Sequence, residues 1–549
     1  MNQKKGFAST IMLLGLVIIG ALCVAAANMS VNSIKVATSN RDEQIAVQAA
    51  QAGLEQATAR AFASLNANNG AFVTTTYNDM GTVLNPIASG CTATATIQPQ
   101  ANNTYAYVTS TVTYKNFTKS FRSVIKCKNV GVWNNAIFAG VGASGQAING
   151  NVQIRGSVHI LGDGEPYVDA AGIGTYFAGD PFTDSNHNGV WDPGEPYTDV
   201  LHVGHYVGPD PYNDLNGNGV YDPPLTQTSL NDTMSGTAYI GNNYDQIPAG
   251  LSTVIPAAPT VNGIQTLSAE MRAKHGQVSI NGNASIGTNS IINGGMSKST
   301  MDGMYVSDGY TGNQGAAHVY SDNGTTNGYD LGALGITFPI ISGIGSQQYV
   351  DGSGNTWNSM TAYYSARSLS VNINTITAST TAFSYGPDQY GNKISFTPKT
   401  NNTAAVLTVT GIVSVPGNLQ IGAKDTITYK GNGTIYSPGN INIDGNLTPA
   451  SGQVFPTTTA LGWVAKGNIN LATGNGSSQL TMAGAFYAQD TIVSAKQNNI
   501  AGTFVASYFN MGNNVPSIFQ VPSLATHLPP GMPGGNSYFT LQQQGWRER

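Results

Sequence analysis

Charge is scarce in this chain. Only 9% of its 549 residues are charged, well below the usual quarter of a globular protein. The net charge is −5, which argues against the basic surface that a nucleic-acid partner requires. This is not the signature of disorder, which pairs high net charge with few apolar residues; here 40% are hydrophobic. Proline is missing from Met1 to Leu65, so one continuous helix is possible there. Cysteines number three. Cys23 lies in an apolar run, where it serves packing. Cys91 and Cys127 are a possible disulfide, which requires close Cα atoms. A simple meander of the strands between them would instead leave them at opposite ends.

What is abundant is glycine, at 66 residues, with asparagine, serine and threonine. This composition fits an extracellular, β-rich protein with many tight turns. The exception is the beginning. A basic leader, Met1-Asn2-Gln3-Lys4-Lys5-Gly6, precedes an apolar run from Phe7 to Ala27 and a helix-prone segment from Arg41 to Glu55. At ~1.5 Å per residue the whole helix would be roughly 90 Å long, far more than a bilayer needs. Lys4 and Lys5 keep the leader cytoplasmic. A secretory signal cleaved after Ala25-Ala26-Ala27, a plain membrane anchor and a coiled coil, the last disfavoured by alanine where larger a/d residues are expected, are the competing readings. Ile45, Ala49, Ala52 and Ala59 recur near helical spacing, and small residues let helices approach closely.

Lys4-Lys5-Gly6-Phe7 resembles the site where prepilin peptidase cuts after glycine, here Gly6, and methylates the new N-terminal Phe7. Gln48-Ala49-Ala50-Gln51-Ala52-Gly53-Leu54 resembles the helix signature of PilX-type minor type IV pilins. The resemblance runs from Lys4 to about Arg60. It implies a leader over 1–6 and a transmembrane and filament-core helix over 7–66. It also implies an inner-membrane precursor and a cell-surface pilus built with other pilin subunits. Major pilins carry a glutamate where this chain has Ile11. A carboxylate in lipid is costly unless paired, and a subunit without it suits the filament tip. A pseudopilin of a secretion system is the alternative.

The remainder reads as mainly β. Gly90 to Lys128 alternates as half-buried strands, giving a small antiparallel pilin-like head over 67–130. From Gly131 short apolar strands recur between turns. Gly417-Asn418-Leu419, Gly439-Asn440-Ile441 and Gly467-Asn468-Ile469 mark a loose period. This predicts a parallel β-helix over 131–535, with asparagine at left-handed corners; a β-sandwich is the alternative. Residues 298–405 read as loops decorating the coils. The proline-rich run Val515–Gly534 reads as an extended cap on the solenoid end, and 536–549 as a short tail.

One motif carries chemistry. Asp184-Ser185-Asn186-His187-Asn188-Gly189-Val190-Trp191-Asp192-Pro193-Gly194-Glu195 matches the EF-hand calcium loop at every key position. Asp184, Asn186, Asn188 and Asp192 offer side-chain oxygens, Val190 its carbonyl, and Glu195 a bidentate carboxylate. Flanking prolines disfavour the usual helices, so this reads as a loop without them. The pattern returns in Asp214, Asn216, Asn218, Val220 and Asp222, but Leu225 replaces the final glutamate. The second site either borrows a carboxylate, Asp199 or Asp210, or binds weakly. Calcium would order an acidic insert over 163–225. Gly140 to Gly145 fits a dinucleotide fingerprint, but strand-like sequence follows where a helix is required. No nucleophile motif with a base is present. A polysaccharide-degrading β-helix enzyme is disfavoured by the shortage of lysine and arginine. The reading is a minor pilin that primes assembly or adheres to a surface ligand or polysaccharide.

Overall fold

The computed structural model describes residues 4–65, 68, 71–100, 105–129, 131–143, 153–224, 239–261, 264–267, 269, 271–273, 285–288, 336–511, 516–535 and 539–548. The chain forms two compact units, Met1–Asn129 with Tyr538–Arg549, and Val130–Ser537.

The first unit opens with helix α1, Lys4–Leu65, 62 residues without a break. It is long and apolar enough to cross a membrane. Its first half leaves Leu13, Leu16, Ile19, Leu22 and Val36 exposed. Its second half buries Ala46, Ala49, Ala50, Leu54, Ala57, Ala61 and Leu65, a single face at helical spacing. Ile45 and Ala52 pack only at the rim of that face, and Ala59 lies outside it. The face lies on an antiparallel meander of β1 (Thr75–Tyr77), β2 (Thr92–Pro99), β3 (Tyr105–Tyr114) and β4 (Phe117–Asn129). Val108, Val112, Phe121 and Ile125 project from the meander into this core. Gly53 is needed for contact: a Cβ there would collide with Ser110 Oγ.

The C-terminal residues are not a tail. Phe539–Glu548 is a fifth strand, antiparallel to β4, with Phe539 opposite Asn129. The second unit is therefore an insertion between two neighbouring strands of the head. The meander also settles the cysteines, which are free thiols. Cys91 precedes Thr92, which pairs with Thr113, whereas Cys127 follows Lys126, which pairs with Tyr105. The length of β3, roughly 30 Å at the strand rise, separates them, and a disulfide needs Cα atoms within ~7 Å.

The second unit is a stack of parallel strands. One column of partners runs Val413, Ile435, Trp463, Phe486, Phe504, Ile137, Val158 and Met271. A second runs Ile427, Leu447, Met482, Ile500, Ile518, Ile154, Ile240 and Ile286. From Val413 to Val158 and from Ile427 to Ile240 every step is apolar and buried, so the core is continuous there. Both columns jump in sequence at the same level, from Phe504 to Ile137 and from Ile518 to Ile154. The earlier segment of the chain thus stacks onto the end of the later one. This places the two ends of the unit together: Trp133 Nε1 donates to Pro533 O at 2.7 Å.

That permutation corrects the expected cap. Ser517–Phe519 is an inner strand paired on both sides, because Pro516 and Pro522 flank its N–H groups rather than replace them. Within 298–405, the described part is not loop alone. It holds helix α2, Met360–Arg367, and the hairpin Phe383–Tyr385/Lys393–Thr397, which leads into the stack. The Gly-Asn corners also work differently from expectation. No asparagine among the described residues has positive φ. Instead Asn440 N donates to Asn418 Oδ1 and Asn468 N to Asn440 Oδ1, each at 2.8 Å, as an asparagine ladder.

Candidate metal centre

Residues 163–224 contain no lysine or arginine, so their many carboxylates must be held by backbone N–H groups, by water or by cations. The insert is a tandem duplication. Glu165-Pro166-Tyr167 recurs as Glu195-Pro196-Tyr197, Asp180-Pro181-Phe182 as Asp210-Pro211-Tyr212, and so on through both copies.

The two copies clasp each other with approximate two-fold symmetry. Thr183 N donates to Pro196 O and Thr198 N to Pro181 O; Asn213 N donates to Pro166 O and Val168 N to Pro211 O. Asp180 accepts from Val200 N and Val207 N. Its counterpart Asp210 accepts from Ala170 N, Ala171 N and Phe177 N. Burial opposes the charge of Asp210, but these backbone donors outweigh it and hold its pKa below the usual carboxylate value. Two half-buried four-ring aromatic clusters lie between the copies. Tyr176 stacks on Tyr221 beside Tyr167 and Tyr212; Tyr206 stacks on Trp191 beside Phe182 and Tyr197. Each cluster takes two rings from each copy, which is the packing reason the copies interlock.

The predicted loops lie at equivalent places on this frame. In the first, Asp184 accepts from Asn188 N at 3.2 Å and Gly189 N at 2.8 Å. Gly189 has φ 79°, as the sharp turn requires. Asn186 Nδ2 and Asn188 Nδ2 both meet Asp192 Oδ2, at 2.7 and 2.8 Å. Half a turn of either amide would present Oδ1 there. Glu195 bridges the loop, accepting from Ser185 N at 2.7 Å and Asp192 N at 2.9 Å. Val190 is exposed and makes no side-chain contribution.

The second loop repeats this. Asp214 accepts from Asn218 N and Gly219 N. Asn216 and Asn218 meet Asp222 Oδ2 at 2.6 and 3.3 Å. Val220 again projects outward. Leu225 lies outside the described residues. The carboxylate expected from Asp199 or Asp210 comes from neither. Asp199 is occupied by Val203 N and Gly204 N in its own copy, and Asp210 as above. Glu165 takes the place instead: Leu215 N donates to its Oε1 at 2.7 Å and Asp222 N to its Oε2 at 3.1 Å. Glu165 N donates to Asp222 O as Glu195 N does to Asp192 O. The signal was legible in the repeat, since Glu165 opens the first copy as Glu195 opens the second.

Glu165 is 2% exposed. Burial, with Asp222 and Asp214 nearby, raises its pKa although two backbone donors oppose the shift. Among the described residues no three His, Cys, Asp or Glu converge as a metal cluster. As placed, the Asn186 and Asn188 oxygens accept from Asn188 N and Val190 N; with both amides turned, the loop would offer oxygens of Asp, Asn and Glu, a set suited to a hard cation such as calcium rather than zinc.

No family profile and no curated protein matches this sequence. Among solved structures the chain is similar to the competence-associated pilin ComZ from Thermus thermophilus. Identity is 16% and the TM-score 0.48, over 92% of this chain and 97% of that one.

Proposed function

We propose that this chain is a minor type IV pilin whose inserted body is a calcium-stabilised parallel β-helix. The observation that carries the reading is the division of α1. Behind a prepilin-type leader, its first half exposes apolar side chains continuously, while its second half is buried under the head. An exposed apolar stripe of that length calls for a membrane first and neighbouring helices afterwards. The insertion between β4 and the last strand supports the same reading, because it leaves the helix and sheet of the head intact. A body of about four hundred residues (by the size range of domains, several times a head) is accommodated most easily at the filament tip. There it would prime assembly or adhere to a surface ligand or polysaccharide.

Asp184, Asn186, Asn188, Asp192, Glu195 and the Val190 carbonyl are the groups that would hold calcium in the first loop. When bound, the ion neutralises clustered carboxylates and so stiffens the insert. The test of the pilin assignment is mass spectrometry of sheared pili. The expected result is a mature start at methylated Phe7 and about one copy per many major subunits. A start near Asn28, or absence from the filament, refutes it.

A further inference from the structure

We infer that the second loop is a complete, discontinuous calcium site whose last ligand is Glu165, and that it is the site coupled to the body. The inference rests on the calcium reading above and extends it to residues that the linear motif does not contain. In the first loop every ligand lies in one stretch, Asp184–Glu195. In the second the stretch ends without its glutamate, yet the same two backbone donors, at the second and ninth positions, close on a carboxylate. They are Ser185 and Asp192 on Glu195 in the first loop, and Leu215 and Asp222 on Glu165 in the second. The tandem copies explain this. Each loop takes its final carboxylate from the opening residue of the other copy, and the last loop can do so only if the insert closes into a ring. Glu165 is where the chain enters the insert and Asp222 is where it leaves.

The two sites then differ in their surroundings. The first loop is exposed, and among the described residues the Asp192 side chain is held by Asn186 and Asn188 of the same loop. The second is fastened to the stack. Tyr508 OH donates to Asp222 Oδ2 at 2.7 Å. Leu215 is buried against Val141 and Tyr508. Asn213 Nδ2 donates to Ile344 O at 2.7 Å. Tyr508 is thus a positioning residue: it orients the ninth-position carboxylate, as outer-shell partners orient metal ligands. An ion in the second loop ties together the entry to the insert, its exit and the wall of the stack.

The test uses the detergent-solubilised full chain, calcium titration calorimetry and terbium luminescence. Trp191 in the first loop and Tyr221 in the second sit at equivalent positions, so excitation at the red edge, where tryptophan alone absorbs, reports the first site, and excitation in the tyrosine band reports both. The expected result is two calcium equivalents. Glu195→Gln should remove the tryptophan-sensitised signal alone. Glu165→Gln should remove the second equivalent and leave the first. Tyr508→Phe should weaken the second site about tenfold and leave the first unchanged. Melting curves in chelator matching wild type would establish that the variants fold. Two equivalents of unchanged affinity in Glu165→Gln overturn the inference and leave the calcium reading standing. No calcium bound by wild type overturns both.

Discussion

Three glycines in one sequence context make the sharpest test of the stack. Gly417, Gly439 and Gly467 each precede an asparagine and an apolar strand residue, and none of them has positive φ. Backbone strain therefore predicts no difference among alanine substitutions. The space around them does. A Cβ on Gly417 meets nothing within 4 Å, one on Gly439 collides with Asn418 Oδ1, and one on Gly467 with Asn440 Oδ1. Those two oxygens accept the ladder bonds from Asn440 N and Asn468 N. Gly439→Ala and Gly467→Ala should each cost about 3 kcal/mol, combining overpacking with the lost hydrogen bond. Gly417→Ala should be neutral or gain up to about 1 kcal/mol through the unfolded state. Urea unfolding followed by fluorescence of the buried Trp463 reads the difference. Gly467→Ala made in an Asn440→Ala background should cost clearly less than in wild type, because the obstructing side chain is gone. Equal costs at all three glycines, or no coupling to Asn440, would refute the ladder.

Further outcomes follow from other parts of the molecule. Replacing residues 131–537 by an Asn-Gly turn should leave a folded head, because Asn129 and Phe539 are already partners; loss of the near-ultraviolet signal of Trp546 packed on Phe121 would contradict the insertion topology. Burial, reinforced by Asp214 and Glu165 and opposed by Lys466, pushes Asp490 from 3.8 to about 7. Its folded pKa is raised, so its contribution is most favourable below the unfolded pKa and is lost as pH rises through about 7. In chelator, Asp490→Asn should therefore stabilise above that pH by about 2 kcal/mol, half the full shift after allowing for solvent screening, and give no gain in acid. The melting temperature measured against pH checks this. Tyr364 is fully buried and donates to Gly531 O at 2.6 Å; Tyr364→Phe should cost about 1–2 kcal/mol in urea unfolding. Chelation should lower the melting temperature of wild type and expose the insert to proteolysis, and added calcium should reverse both.

The sequence by itself determined the features that are written locally. A proline-free apolar run dictates α1, period-two alternation dictates β2 to β4, and short apolar strands between glycine turns dictate the stack. The Asp-Asn-Asn-Gly-Asp spacing brings the polar side chains of the first loop together. What tertiary structure decided are the pairings between residues far apart in the chain, where local chemistry is silent. Strand Phe539–Glu548 joins the head because β4 has an open edge. Ile137 follows Phe504 because a parallel edge accepts any apolar strand of matching register, whatever its place in the sequence. Glycine and asparagine at the corners were legible as a pair, but not that the glycine makes room for an asparagine one coil away. Glu165 completes the second loop because the tandem copies close on each other, a contact that depends on the ring and not on spacing along the chain.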